Sequence, residues 1–291
     1  MKKDTDMMAK TVTLPDGTKL PALGMGTWNM GDSSASWKDE VATLRHGVEA
    51  GLKVVDTAEM YGQGRSESLV GEAMRDVRDD IFLVSKVLPS NASAEGVAKA
   101  CRSSLRRLAT DRIDLYLLHW RGSVPLAETI EAFRKLKEDG LIRYWGVSNF
   151  DVDDMQDLEK YTRSCECASN QILYNLEHRG VEYDLLDTNR FRHVMTMAYS
   201  PIGQGGELLQ NSAVKAVAAR HTTSNGPASP AQIALAWVLR MSNVMAIPKA
   251  SSLAHIKDNI AAQEITLTED DLAALDAAFP PPSRKTPLDM I

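Results

Sequence analysis

The sequence predicts a (β/α)8 barrel, and three observations predict it. Short apolar stretches alternate with amphipathic ones, and counting gives eight strand–helix units in 291 residues. The strand stretches are β-prone and apolar on both faces, the pattern of a parallel sheet covered by helices. The competing doubly wound sheet usually has fewer strands, and its dinucleotide-binding version carries G-x-G-x-x-G after the first strand. Neither that motif nor G-x-x-x-x-G-K-[ST] occurs. The length suits a barrel, and no linker divides it, so residues 1–291 are expected to form one domain.

The elements follow in order. TVTLPDGTKLPAL has two short β-prone segments around Pro15-Asp16-Gly17, a good turn sequence, and predicts a hairpin at about 10–20. LPALGMGTW (20–28) supplies the first barrel strand. GLKVVD (51–56) is the second, followed by helical spacing in ESLVGEAMRDV. IFLVSK (81–86) leads to EGVAKACRSSLRRL, and IDLYLLHW (113–120) to LAETIEAFRKLKEDG. IRYWGVSNF (142–150) precedes DVDDMQDLEKY, ASNQILYN (168–175) precedes YDLLDTNRF, and HVMTMAYSP (193–201) precedes NSAVKAVAARH. SPAQIALAWVLRM is a further helix, joined to the one before it by HTTSNGPASP (221–230). VMAIPKA (244–250) with SSLAHIKDNIAA closes the series. FPPPSRKTPLDMI (279–291) is a tail too rich in proline for regular helix.

Composition narrows the function. The net charge is −6 and the pI near 5.6, which disfavours broad binding to nucleic acid or an anionic membrane. The three cysteines, Cys101, Cys165 and Cys167, are no disulfide framework. Cys165-Glu166-Cys167 is not a usual zinc spacing, so no metal is expected. His46, His178, His193 and His221 fall on or near helices rather than at strand ends, which disfavours a metal-dependent barrel hydrolase or isomerase. MKKDTDMMAK lacks the apolar core of a signal peptide, and no apolar run reaches the roughly 20 residues of a membrane span. A cytoplasmic protein is expected.

Barrel active sites form at the C-terminal ends of the strands. The second strand ends in Asp56, with Tyr61 just beyond; the third ends in Ser85-Lys86, and the fourth in His119. Buried charges are costly unless paired, so four ionisable groups at one mouth are hard to explain as structure. Their chemistry is complementary. A free tyrosine has a pKa of about 10 and is a poor acid at pH 7. A nearby lysine would stabilise the phenolate and lower that value, an aspartate would hold the lysine, and a histidine could orient a carbonyl oxygen. The set suits proton donation to an oxygen that becomes negative as hydride reaches carbon.

At this point the chain resembles the aldo-keto reductase superfamily, over almost its full length. DTAEMYGQGRSESLVGEAM, LVSKV, DLYLLHW, GVSNF, NQILYN, MAYSPIG and AIPKASS match in order. The resemblance implies a (β/α)8 barrel that binds NADP(H) or NAD(H) in an extended pose without a Rossmann fold, which accounts for the missing glycine motif. It implies a catalytic tetrad of Asp56, Tyr61, Lys86 and His119, with Tyr61 as general acid. It further implies that Ser148, Asn149 and Gln171 hold the nicotinamide carboxamide and that Tyr199 stacks on the ring. Ser200, Ile202 and Gln204 would lie along the pyrophosphate, and Lys249, Ser251, His255 and Asn259 would serve the adenosine end. His255 stands where many NADPH-preferring members carry an arginine, and Ala250 where a serine is common. Both departures weaken the expected preference for NADPH, although Lys249 remains.

Trp28, Met60 and Trp120 are expected to line the substrate pocket. The loop after His119 (WRGSVPLAET) and the tail are short, which implies an open site for small aldehydes and dicarbonyls. EYDLLDT, VMAIPKA and KTPLDMI suggest the branch of bacterial reductases acting on methylglyoxal and similar aldehydes. The expected partner is a small aldehyde or ketone, and the expected state a monomer. Some family members are cofactor-binding regulatory subunits; the intact tetrad argues against that reading.

Overall fold

The protein is described by a computed structural model covering residues 10–291. An antiparallel hairpin of β1 (Thr11–Thr13) and β2 (Lys19–Pro21) leads into eight parallel strands. These are β3 (Met25–Gly26), β4 (Val54–Asp56), β5 (Phe82–Val87), β6 (Ile113–Leu118), β7 (Ile142–Ser148), β8 (Cys167–Leu173) and β9 (Met195–Tyr199), and, after a two-residue hairpin of β10 (Thr222–Thr223) and β11 (Gly226–Pro227), β12 (Val244–Ala246). Each barrel strand pairs with the next in sequence. The ends of the sheet meet through bridges between Leu23 and Ala246 and between Gly26 and Lys249. The Gly24 N–H donates to Ala246 O at 2.9 Å and the Gly26 N–H to Pro248 O at 3.0 Å.

Every residue of β5, β6 and β8 is buried, because helices cover the outside while side chains fill the inside. The surrounding helices are α1 (Trp37–Glu49), α2 (Arg65–Met74), α3 (Ala94–Arg107), α4 (Leu126–Glu138), α5 (Val152–Glu159), α6 (Leu185–Phe191), α7 (Ser212–Ala218), α8 (Pro230–Val238), α9 (Leu253–Ala261) and α10 (Glu269–Ala278). Their starts are fixed by local chemistry. Ser93, Asp151, Ser229, Ser252 and Thr268 each accept a backbone N–H at a helix entrance, and three of these are reciprocal capping boxes. The hairpin sits at the N-terminal end of the barrel, with Val12 and Leu14 buried and the Thr13 N–H donating to Asn243 Oδ1 at 3.0 Å, just before β12. The opposite end is left free for chemistry.

The eight strands fall within the stretches the sequence places them in or overlap them, with ends moved by up to five residues: the first shrinks from 20–28 to Met25–Gly26 and the last from 244–250 to Val244–Ala246. The 221–230 segment joins α7 to α8 but makes the small β10–β11 hairpin on the way. Two helices the sequence reading does not name, α1 and α10, complete the layer. Both carry a signal: Val41, Leu44 and Val48 lie on one buried face of α1, and Thr268-Glu269-Asp270-Asp271 is a capping box. One glycine shapes the mouth. At Gly146 a Cβ would lie 2.4 Å from Ser169 O, and the β7–β8 register shifts between Trp145 and Val147. That irregularity, which needs the missing side chain, sets the register that pairs Ser148 with Gln171.

Candidate active site

Asp56 is the last residue of β4 and is buried. Lys86, near the end of β5, is fully buried, and its ammonium is saturated by four acceptors. It donates to Asp56 Oδ1 at 2.9 Å, to Asp56 Oδ2 at 2.8 Å, to Thr57 O at 2.9 Å and to Tyr61 Oη at 3.2 Å. Tyr61 follows β4 at the start of a short turn whose next two residues, Gly62 and Gln63, are left-handed. His119 comes one residue after β6, its ring edge-on to Tyr61 with centroids 5.9 Å apart. The four residues expected to act together are thus brought together.

Burial raises the Tyr61 pKa above the ordinary phenol value, and the Asp56 charge adds to this; Lys86 pulls against both and does not win. The sequence-level expectation that Lys86 lowers the pKa below 10 is therefore corrected. The lysine charge is largely spent on Asp56, and the phenol is dehydrated. Tyr61 consequently holds its proton at neutral pH, the state a proton donor needs. The Lys86 pKa is raised: burial alone would lower it, but attraction to Asp56 and Tyr61 prevails.

Burial, with the Lys86 charge second, drops the His119 pKa to about 2. The imidazole is neutral, and its Nδ1 is buried without a partner. A buried N–H without an acceptor is costlier than a bare lone pair with weak competition, so the proton belongs on Nε2. One stability consequence follows. Because the folded pKa lies below the unfolded value near 6.5, the His119 contribution is complete above that value and is lost as pH falls toward about 2. His119→Gln is expected to flatten the decline in Tm between pH 6.5 and 4; an equally steep decline in the variant would contradict the neutral imidazole.

The residues around this core are placed as follows. Ser148 Oγ donates to Gln171 O at 2.9 Å. Asn149 Nδ2 donates to His119 O at 3.1 Å and to Ser148 Oγ at 3.2 Å, and the residue is left-handed, which asparagine tolerates. Tyr199 Oη donates to Asn149 Oδ1 at 2.9 Å. Ser200 is also left-handed and opens the turn that carries Ile202, partly buried against the core, and the exposed Gln204. Lys249 and His255 are exposed, Ser251 is half-buried, and Asn259 is buried with its Nδ2 unpartnered. Gln171 makes a contact that the sequence reading does not name: its Nε2 donates to Asp56 Oδ1 at 2.8 Å.

Trp28 and Met60 are about two-fifths exposed at the mouth, and Trp120 packs on His119 with centroids 4.9 Å apart. Cations fasten the loops that carry the tryptophans. Arg65 binds Asp32 at 2.9 Å beside Trp28; Arg121 binds Asp154 at 2.9 Å and Asp157 at 2.8 Å beside Trp120. The tail is brief but turns back to the site. Lys285 binds Asp151 and also Asp184, the latter at 2.9 Å, Asp289 meets His178 Nδ1 at 2.9 Å, and the Ile291 backbone reaches the Tyr199 hydroxyl. His178 therefore lies in the loop after β8 on the mouth side, two residues before the short helical turn Gly180–Glu182. Sequence reasoning missed these fasteners; the acidic run DVDDMQD opposite Arg121 is the one signal that could have shown a clamp. Among the described residues no group of three or more His, Cys, Asp or Glu side chains is placed to hold a metal, and no helix is long and apolar enough to cross a membrane.

The aldo/keto reductase family model matches residues 22–279, which include all seven stretches quoted above. The chain belongs to the aldo/keto reductase family. Among its relatives, methylglyoxal reductase YeaE of Escherichia coli is 48% identical over 98% of this chain and 100% of its own length. An aldo-keto reductase of Mycolicibacterium vanbaalenii is 34% identical over 91% of each chain. The crystal structure of an aldo-keto reductase from Klebsiella pneumoniae in complex with NADPH superposes with a TM-score of 0.92 at 48% identity, covering 98% of this chain and 100% of that one. This aldo/keto reductase places its ionisable cluster at the C-terminal mouth of a parallel barrel, where the cluster can serve oxidoreduction of a carbonyl.

Proposed function

We propose that this chain, as a single barrel domain of residues 1–291, reduces small aldehydes and dicarbonyls of the methylglyoxal kind to alcohols with NADPH. The observation that carries the reading is the Tyr61 hydroxyl. It keeps its proton, lies 3.2 Å from a fully buried ammonium, and stands beside a neutral His119.

The residues present fit a nicotinamide dinucleotide. Among the described residues the buried Asn259 Nδ2 and the Gln171 Oε1 are polar atoms without protein partners, and the exposed Lys249 sits shortly before the entrance of α9. Gln171, Ser148 and Asn149 would hold the carboxamide, and Tyr199 would bear on the ring. Ser200, Ile202 and Gln204 would follow the pyrophosphate, and Lys249, Ser251, His255 and Asn259 the adenosine phosphate end. When bound, NADPH supplies the hydride. His119 Nε2–H donates to the carbonyl oxygen and orients it. Tyr61 gives its proton to that oxygen as it gains negative charge, Lys86 stabilises the phenolate left behind, and Asp56 keeps Lys86 charged and in place. Solvent returns the proton to Tyr61. Trp28, Met60 and Trp120 bound a shallow pocket suited to small substrates. The similarity to the methylglyoxal reductase of E. coli supports that substrate class. A cytoplasmic monomer is the state proposed, and the acidic composition supports a chain that binds neither nucleic acid nor an anionic membrane.

Steady-state oxidation of NADPH with methylglyoxal and a panel of small aldehydes tests the reading. Efficient turnover of a bulky steroid ketone, with poor activity on every small aldehyde, would contradict it. Equilibrium titration of the cofactor-free chain with NADPH and with NADH tests the phosphate end. A charge-assisted hydrogen bond contributes about 1.5–3 kcal/mol, and about 1.4 kcal/mol is tenfold in Kd. NADPH is therefore expected to bind about ten- to a hundredfold tighter than NADH through Lys249. Lys249→Ala should abolish the difference and His255→Arg should widen it; an unchanged ratio in Lys249→Ala would remove Lys249 from the phosphate site.

A further inference from the structure

Gln171 lies within β8, buried, with its amide between two neighbours of different kinds. Its Nε2 donates to Asp56 Oδ1 at 2.8 Å and lies 3.9 Å from Met197 Sδ. The amide is orientated by chemistry, because only the NH2 end can face a carboxylate. Among the described residues no donor reaches its Oε1, and that atom is not fully shut off from solvent. One short, rigid group thus joins the carboxylate that holds Lys86 to the space where the carboxamide of the cofactor is proposed to bind. Asp56 Oδ1 accepts from Lys86 and from Gln171 together, whereas Oδ2 accepts from Lys86. Removing the Gln171 donor would leave Asp56 held by Lys86 alone and its charge less offset beside Tyr61.

We propose that Gln171 is a positioning residue for the Asp56–Lys86 pair and that it links occupancy of the carboxamide site to the proton donor. The proposal rests on the nicotinamide reading for its Oε1 half only. Gln171→Met removes both ends of the link. Through Asp56, it is expected to lower kcat at saturating NADPH by about tenfold, the worth of one hydrogen bond to a charged group. In an Asp56→Asn background the same substitution should change kcat less than twofold. It should also lower the Tm of the cofactor-free protein by more in the wild-type background than in Asp56→Asn. Equal effects in both backgrounds, on kcat and on Tm, would overturn the proposal and leave Gln171 as a cofactor contact alone. Conversely, an unchanged NADPH Kd in Gln171→Met, measured by fluorescence quenching, would remove the carboxamide contact while leaving the coupling to Asp56 intact.

Asp56→Asn strands a buried ammonium and could prevent folding, so Gln171→Glu carries the same test alone. Its carboxyl still offers an acceptor to the mouth. Toward Asp56 it donates only when protonated, and two carboxyl groups in contact favour sharing one proton. The groups facing this pair are Lys86, Tyr61, His119 and, across the mouth, Tyr199; taking the ratio to wild type at each pH cancels their common effect. The Gln171→Glu to wild-type ratio of kcat should rise at least tenfold from pH 8 to pH 5.5. A ratio independent of pH would overturn the positioning role.

Discussion

Tyr61→Phe should lower kcat for methylglyoxal reduction by about 100-fold or more, because general acid catalysis is typically worth 10²–10⁴. The substitution removes only the hydroxyl. The ring keeps its edge contact with His119 and its place 4.9 Å from the Lys86 ammonium. The NADPH Kd should therefore stay within about twofold, and the melting temperature close to that of wild type. Lys86 loses one of four acceptors and retains both Asp56 oxygens and Thr57 O. Near-normal turnover in Tyr61→Phe would require another proton source at the mouth. His119 could not be that source as an imidazolium, because its pKa of about 2 leaves it uncharged at neutral pH.

Lys86→Met should have the largest effect on stability and abolish turnover as well. The lysine and Asp56 are both sealed from solvent, so deleting the cation leaves a buried carboxylate with Gln171 as its remaining side-chain donor. Breaking one side of a buried pair typically costs about 3–5 kcal/mol. Urea unfolding should show a loss of that size. Replacing both partners, Lys86→Met with Asp56→Leu, should recover much of the stability and none of the activity, since the stranded charge is gone and the proton donor stays unsupported. A loss below about 1 kcal/mol in Lys86→Met would mean that water enters the site and solvates Asp56. In the wild type the pair persists across neutral pH. The Lys86 pKa is raised, so its contribution is complete below the ordinary lysine value and disappears only as pH climbs through the higher folded value.

Much of the site was legible because charge at the end of an apolar strand is expensive and conspicuous. Asp56, Lys86 and His119 each close a run of buried β-prone residues, and alternation of strand with helix places those ends on one face. The adenosine end was legible only through resemblance, since Lys249, Ser251 and His255 look like any polar start of a helix. Other features depend on distances that the chain order does not encode. Gln171 lies 115 residues from Asp56, and an amide with two different ends gives no sign in sequence of which neighbour takes which. The Tyr61 pKa goes the opposite way from the pairwise expectation because dehydration, a property of the whole pocket, outweighs one neighbouring charge. The tail defeats sequence reading for another reason. Its prolines forbid helix but do not say where an extended segment will lie, and Lys285 and Asp289 find their partners at the cap of α5, before α6 and in the loop after β8.

The four residues at the mouth are proposed to form a working reductive centre rather than a cofactor-binding surface. A single-turnover mixing experiment tests it most directly: the chain preloaded with one equivalent of NADPH is mixed with excess methylglyoxal, and the near-ultraviolet absorbance of the reduced nicotinamide is followed. Complete loss of that absorbance in one exponential phase is expected for wild type, and a phase at least about 100-fold slower for Tyr61→Phe. Persistent absorbance in a wild-type chain that demonstrably holds NADPH, with methylglyoxal and every other small aldehyde tried, would contradict it.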